Sequence, residues 1–120
     1  FAPTILDIAG VKIPSDMQGC SLMPILKKAG GTPNNWRQAV YYHYYEYPGE
    51  HSVKRHYGIR TMDFKLIHFY YDIDEWEMYD LKKDPKEMKN VFNEPEYSIK
   101  KQELIDILKK TQSEYNDNSF

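Results

Sequence analysis

Read for its alternation of hydrophobic and polar positions, the chain changes character at Trp36. Before it, residues 1–10 place Ile5, Leu6, Ile8 and Ala9 on one short apolar face, with Pro3 in the first turn and Gly10 as a stop. That is the pattern of a helix whose beginning lies upstream. Residues 11–37 are punctuated by Pro14, Gly19, Pro24, Gly30, Gly31 and Pro33, which predicts an irregular crossing segment. Within it, residues 21–28 can hold one short helix, capped by Ser21 with Pro24 in its first turn. After Trp36 come four stretches rich in β-branched and aromatic residues: 39–47, 57–61, 64–71 and 76–81. Turn-like residues separate them, at Pro48-Gly49-Glu50, Met62-Asp63 and Asp72-Ile73-Asp74. Short connections favour antiparallel neighbours, because parallel strands need a crossover of a dozen or more residues.

In the last stretch Trp76 and Met78 alternate with Glu75 and Glu77, as in a sheet with one buried face. Elsewhere both faces are aromatic, so both should be partly covered. Asp84-Pro85 then begins a turn, and residues 86–91 can close one helical turn. Glu94-Pro95 opens the longest helix, running to about Tyr115, with Tyr97, Leu104, Ile105, Leu108 and Tyr115 near one stripe, opposite Lys100, Glu103, Asp106 and Lys110. The stripe should lie on the sheet, and the polar tail 116–120 should fray. The predicted fold class is α+β: a small four-stranded antiparallel sheet packed against a long C-terminal helix.

Composition narrows the partners. Among 120 residues, 18 acidic side chains face 16 basic ones, a net charge of −2. Such a balance lacks the clustered Lys and Arg that duplex nucleic acid or an anionic membrane would require. No apolar run approaches the roughly 20 residues of a membrane span. No charged-then-apolar leader stands at the start, and with Phe1 in first place the chain reads as a piece of a longer one. Aromatics reach 15%, eleven of them tyrosines, so amphipathic rings are concentrated somewhere. The single cysteine, Cys20, forbids an internal disulfide.

Candidate chemistry is sparse. There is no glycine-rich phosphate loop, no Gly-x-Ser-x-Gly elbow and no His-Glu-x-x-His pair. His51, His56 and Cys20 match no zinc spacing. Asp72, Asp74 and Glu75 crowd one turn, but a calcium loop needs more ligands and a glycine at its bend. The segment His51-Ser52-Val53-Lys54-Arg55-His56 puts two imidazoles and two cations between aromatic strands. It could clamp a sulfate, a carboxylate or a sugar hydroxyl, since Arg supplies a bidentate fork and His a chargeable donor. It could equally be a polar turn whose cations pair with Glu46 and Glu50. The run Tyr41, Tyr42, His43, Tyr44, Tyr45 and Tyr47 suits a sugar-stacking surface or packing against the long helix.

Three blocks carry a resemblance. Residues 2–10 with Met17-Gln18-Gly19-Cys20-Ser21-Leu22 resemble the "APTLLDLAG … MQGRSL" stretch of type I sulfatases. Residues 55–61 with Phe64-Lys65-Leu66-Ile67 resemble that family's "YGVRT … YKLI" strands, and residues 76–91 its "ELYDLxxDPxExxNL" signature. Order and spacing are kept across nearly the whole chain. The tyrosine-rich strand and the His-x-x-x-Arg-His loop are similar to those of bacterial arylsulfatases and N-acetylglucosamine-6-sulfatases.

The resemblance implies the C-terminal subdomain of an alkaline-phosphatase-like sulfatase. Residues 1–37 would then be the end of the N-terminal catalytic domain with the crossing segment, and residues 38–120 the subdomain. It further implies a sulfuric ester hydrolase acting on sulfated carbohydrate such as glycosaminoglycan or mucin sugars, in the periplasm or secreted, with calcium and formylglycine in an N-terminal domain outside this chain. This piece alone would be inactive, with no catalytic and no metal-binding residue. Cys20 is not the formylglycine precursor, since Leu22 and Pro24 stand where Pro or Ala and then Arg are required. The resemblance also implies candidate substrate contacts in the loop after the first strand, at His51, Arg55 and His56. A free-standing carbohydrate-binding or structural module with the same aromatic surface is the alternative.

Overall fold

In the computed structural model, residues 1–28, 33, 34 and 36–118 are described. Gly30 and Gly31 of the crossing segment and the last two residues of the tail lie outside them. The chain forms two compact units, Phe1–Arg37 and Gln38–Phe120.

In the first unit, helix α1 (Ala2–Ile8) starts with Pro3 in its first turn and buries Pro3 and Thr4. Ile5 and Ile8 of the expected apolar face remain exposed. Gly10, with φ +68°, takes the left-handed conformation that ends the helix. Helix α2 (Met23–Lys27) begins later than Ser21 suggested: Leu22 is the cap residue and receives no side-chain cap bond. The Ser21 hydroxyl acts one position early, accepting the Met23 N–H at 3.1 Å and donating to Asp7 at 2.5 Å. The Thr4 hydroxyl meanwhile accepts the Leu22 N–H at 3.0 Å.

The second unit is a four-stranded sheet in the order β1 (Val40–Tyr44), β2 (His56–Arg60), β3 (Phe64–Phe69), β4 (Glu75–Asp80), antiparallel throughout. Strand β1 stops before the expected residue 47, because the Tyr45 carbonyl turns to accept the Tyr47 N–H. Strand β3 stops before residue 71, where Tyr71 adopts φ +81° and turns the chain. At the β2–β3 hairpin the Thr61 hydroxyl accepts the N–H groups of Asp63 and Phe64.

Register decides the core. Ile59, Leu66 and Met78 stand opposite one another across β2, β3 and β4, all fully buried. Against them packs α3 (Ser98–Glu114) through Leu104 and Leu108. Burying each such side chain stabilises the fold by about 1.5–3 kcal/mol. The helix is entered through a 3₁₀ turn, Pro95–Tyr97, so it begins later than Glu94-Pro95 suggested. Its stripe continues to Gln112, a buried polar residue one turn past Leu108. The helical turn expected over 86–91 does not form. Glu87 takes φ +55°, and the Asp84 carboxylate accepts the N–H groups of Met88 and Lys89 at 2.6 and 2.8 Å, in competition with a helix.

At Asn116 and Asp117 the chain departs from the expected fraying. Asn116 has φ +53°; its N–H reaches the Ser113 carbonyl, and the Asp117 N–H reaches that of Gln112. This 5→2 and 6→1 pair is a Schellman cap with Asn in the left-handed position.

Candidate functional site

The sheet pleat separates the three residues predicted to contact substrate. The Tyr70 N–H donates to the Arg55 carbonyl at 3.2 Å, continuing the β2–β3 pairing one residue beyond His56 and Phe69. Successive side chains alternate between faces, so Arg55 shares the α3 face with Tyr57, and His56 belongs to the opposite face with Tyr44 and Phe69. There the His56 ring stacks on Tyr44 with centroids 5.3 Å apart and lies 5.1 Å from Phe69. Its Nδ1 donates to the Lys54 carbonyl at 2.8 Å. Arg55 donates from Nε to the Tyr45 carbonyl at 3.1 Å and sets its guanidinium 4.5 Å from the centre of the Tyr71 ring. His51 lies in the exposed loop, its Nδ1 2.9 Å from Glu46, whose carboxylate also accepts the Tyr44 hydroxyl. Those two bonds hold the Glu46 carboxyl below its usual range.

On the α3 face stands a constellation that sequence reading missed. His43 is held between two partners, with Nδ1 2.7 Å from Asp117 and Nε2 2.5 Å from the Tyr70 hydroxyl. His68 repeats the arrangement, with Nδ1 2.6 Å from the Tyr57 hydroxyl and Nε2 2.6 Å from Asp74. A carboxylate only accepts, so the ring nitrogen facing it carries the proton, and in the neutral imidazole the other nitrogen accepts from the phenol. Burial raises the Tyr57 and Tyr70 phenols above their ordinary range, which keeps them protonated as donors. Tyr57 contacts both imidazoles edge-on, at 5.6 Å from His43 and 5.1 Å from His68. Asp117 also accepts the Tyr41 hydroxyl at 2.5 Å, and Tyr41 is raised by burial first and this bond second.

The two chains end differently. Asp117 and His43 are almost wholly buried, whereas the Asp74 carboxylate is 87% exposed. Between β3 and β4 lies an open cleft of about 390 Å³, lined by His68, Tyr70, Tyr71, Asp72, Ile73 and Asp74. Asp72 is ion-paired with Lys54, and that partner lowers its carboxyl. No local sequence signal marks this group: its members lie on β1, β2, β3, the turn after β3, and the tail.

The 76–91 signature turns out to be architectural. Asp80 Oδ1 accepts the N–H groups of Lys82 and Lys83, and its Oδ2 accepts the Tyr97 hydroxyl at 3.1 Å. Burial pushes this carboxyl upward, but the Lys83 N–H, the Tyr97 hydroxyl and the Lys82 N–H together outweigh it and hold it below the usual range. Asn90 Oδ1 accepts the Met78 and Phe92 N–H groups, each at 3.0 Å, and its amide donates to the Trp76 carbonyl. With the Asp84 bonds, these side chains satisfy the backbone of the β4–α3 connection.

Among the described residues, no three His, Cys, Asp or Glu side chains come together to hold a metal ion. Cys20 is exposed. The described carboxylates therefore assemble no calcium site, and Cys20 is followed by Leu22 and Pro24, which do not fit the sequence required for formylglycine formation. No helix among the described residues is long and apolar enough to cross a membrane.

The profile of the family described as N-sulphoglucosamine sulphohydrolase, C-terminal, matches residues 1–114. An N-acetylglucosamine-6-O-sulfatase of Bacteroides thetaiotaomicron is 67% identical over 98% of this chain, which covers 21% of that protein. An arylsulfatase of Clostridium perfringens is 37% identical over 90% of this chain, which covers 20% of it. A solved structure, of a protein in complex with its substrate D-glucosamine-2-N,6-O-disulfate, superposes with a TM-score of 0.96 at 67% identity, over 98% of this chain and 24% of that one. The chain thus spans about a fifth of the length of the curated sulfatases it matches.

Proposed function

This chain belongs to the N-sulphoglucosamine sulphohydrolase C-terminal family, and from that membership we propose that it is the C-terminal part of a sulfatase that removes sulfate from a sulfated amino sugar of glycosaminoglycan or mucin type. The observation that carries the proposal is the 67% identity, over 98% of the chain, to an N-acetylglucosamine-6-O-sulfatase. Identity at that level over nearly the whole chain supports a shared substrate class. Sulfate ester hydrolysis needs a nucleophile and a group that stabilises the developing oxyanion. In this reading both, with the calcium and formylglycine of the chemistry, belong to the part of the enzyme outside this chain. The residues described here supply a wall of the substrate pocket.

Within that reading the edge bearing His51, Arg55 and His56 faces the sugar, with unequal roles. Arg55 is the anion contact: a guanidinium has five N–H donors, and Tyr45 takes one. His56 keeps Tyr44 and Phe69 in place, and His51 stands at the tip with Glu46. The test is sulfate release from 6-O-sulfated N-acetylglucosamine by the full-length enzyme, beside the 120-residue chain alone. Release by the first and none by the second is expected. Release by neither, with sugar bound by the chain alone, would replace the sulfatase with a binding module.

A further inference from the structure

We propose that the cleft between β3 and β4 is a second sugar subsite, one that takes an unsulfated ring through its free hydroxyls. The proposal rests on the carbohydrate reading above for the class of ligand, and on the polarity of the cleft for the rest. Six residues line it: His68, Tyr70, Tyr71, Asp72, Ile73 and Asp74. The hydroxyl proton of Tyr70 is committed to His43, so toward a ligand the Tyr70 oxygen accepts. Both nitrogens of His68 are engaged, one by Tyr57 and one by Asp74. Asp72 and Asp74 only accept. The side-chain polar groups of the cleft other than the Tyr71 hydroxyl are therefore acceptors, and they match a ligand rich in O–H donors.

A sulfate group offers only acceptors and a negative charge. Set against the exposed Asp74 it meets repulsion; Asp72 is paired with Lys54, and Arg55, over the Tyr71 ring, is not among the lining residues. Tyr71 completes the site. Its side chain is largely exposed, at 76%, with the Arg55 guanidinium over the ring at 4.5 Å. The remaining exposed ring surface suits the C–H face of a pyranose. The geometry is fixed before any ligand arrives: Tyr70 is held through His43 by Asp117, and Asp74 is held through His68 by Tyr57. Such preorganisation lowers the entropy lost on binding. One edge of the subdomain would thus read two features of a chain of sugars, an anion at Arg55 and an unsulfated neighbour in the cleft.

The test uses the full-length enzyme and di-N-acetylchitobiose, a neutral sugar, beside its fully O-sulfated form. Calorimetry measures affinity, and hydrogen–deuterium exchange locates binding. The expected result is protection of the segment 69–76 by chitobiose, and binding of the sulfated form at least about tenfold weaker at this segment. Tyr71→Ala and Asp74→Asn should each weaken chitobiose by about three- to tenfold, with Tyr71→Phe retaining it. If sulfate is released while chitobiose leaves 69–76 unprotected, or if neither Tyr71→Ala nor Asp74→Asn changes its affinity, the subsite is overturned and the sulfatase reading stands. If chitobiose binds as described to an enzyme that releases no sulfate, the subsite stands and the sulfatase reading falls.

Discussion

His43 and Asp117 lie 74 residues apart and meet at 2.7 Å, tying the tail beyond the last helix to the first strand of the sheet. The Schellman cap at Asn116 delivers the Asp117 carboxylate to a spot where the side chains of Tyr41, His43 and Tyr45 all reach it. The first strand, β1, is paired on only one side. Its hold on the rest of the unit is strengthened by this contact from the helix end.

Asp117→Ala should therefore destabilise the unit by about 1–3 kcal/mol, because it strips a buried imidazole N–H and a half-buried phenol of their acceptor. For a unit of this size each kcal/mol lowers Tm by about 4–8 °C. Asp117→Asn keeps an acceptor oxygen and should lose less. Thermal melts of the two variants, compared with the parent, check the order; an Asn variant as unstable as the Ala one would show that charge, not hydrogen bonding, governs the contact.

Asn90→Ala should cost about 2 kcal/mol although it touches no candidate site, since it leaves the amides of Met78 and Phe92 and the carbonyl of Trp76 without their partner. Asn90→Asp restores the acceptor but not the donor and should recover part of the loss. Urea unfolding with an unchanged m-value would confirm that stability alone has moved.

Acid should remove the contribution of Asp80. Its folded carboxyl lies below the usual range, so the stabilisation is fully present above the unfolded value, about 3.9, and is lost as pH falls through the lower folded one. Unfolding free energy measured between about pH 5 and pH 2 should fall, and Asp80→Asn should flatten that fall. Glu46 and Asp72 are lowered as well, by His51 and Lys54 respectively. Their share should shrink in about 1 M salt, which screens exposed pairs, while that of the buried Asp80 persists.

Arg55→Ala and His56→Ala should separate in kind. Losing a charge-assisted bond from Arg55 costs about 1.5–3 kcal/mol, or roughly ten- to a hundredfold in kcat/KM on the sulfated sugar, with little change in Tm. His56→Ala opens the stack between Tyr44 and Phe69 and should lower Tm more than it changes kcat/KM. His51→Ala, at the exposed tip, should do less than either. A small aryl sulfate lacking the remote sugar groups should be spared by Arg55→Ala; equal losses on both substrates would place the damage at the sulfate site.

The number of strands, their antiparallel sense, the position of the long helix and the family are all legible along the chain. Each of these rests on signals carried by neighbouring residues: alternation in Trp76–Met78, turn residues at Met62-Asp63, and the spacing of Leu104 and Leu108. The chemistry of the candidate site was not legible in the same way. Arg55 and His56 are adjacent in the chain, yet the pleat sends them to opposite faces, and where the strand begins decides which face each takes. The turn at Asp84-Pro85 could be read, whereas the service of Asp80, Asp84 and Asn90 to specific amides could not, because it depends on the path of the whole β4–α3 connection. Only the tertiary structure brought Tyr70, His43 and Asp117 into one chain and Tyr57, His68 and Asp74 into another. Those meetings follow from sheet register and from where a helix ends, which are properties of the packed chain; local periodicity, a property of a few successive side chains, does not encode them.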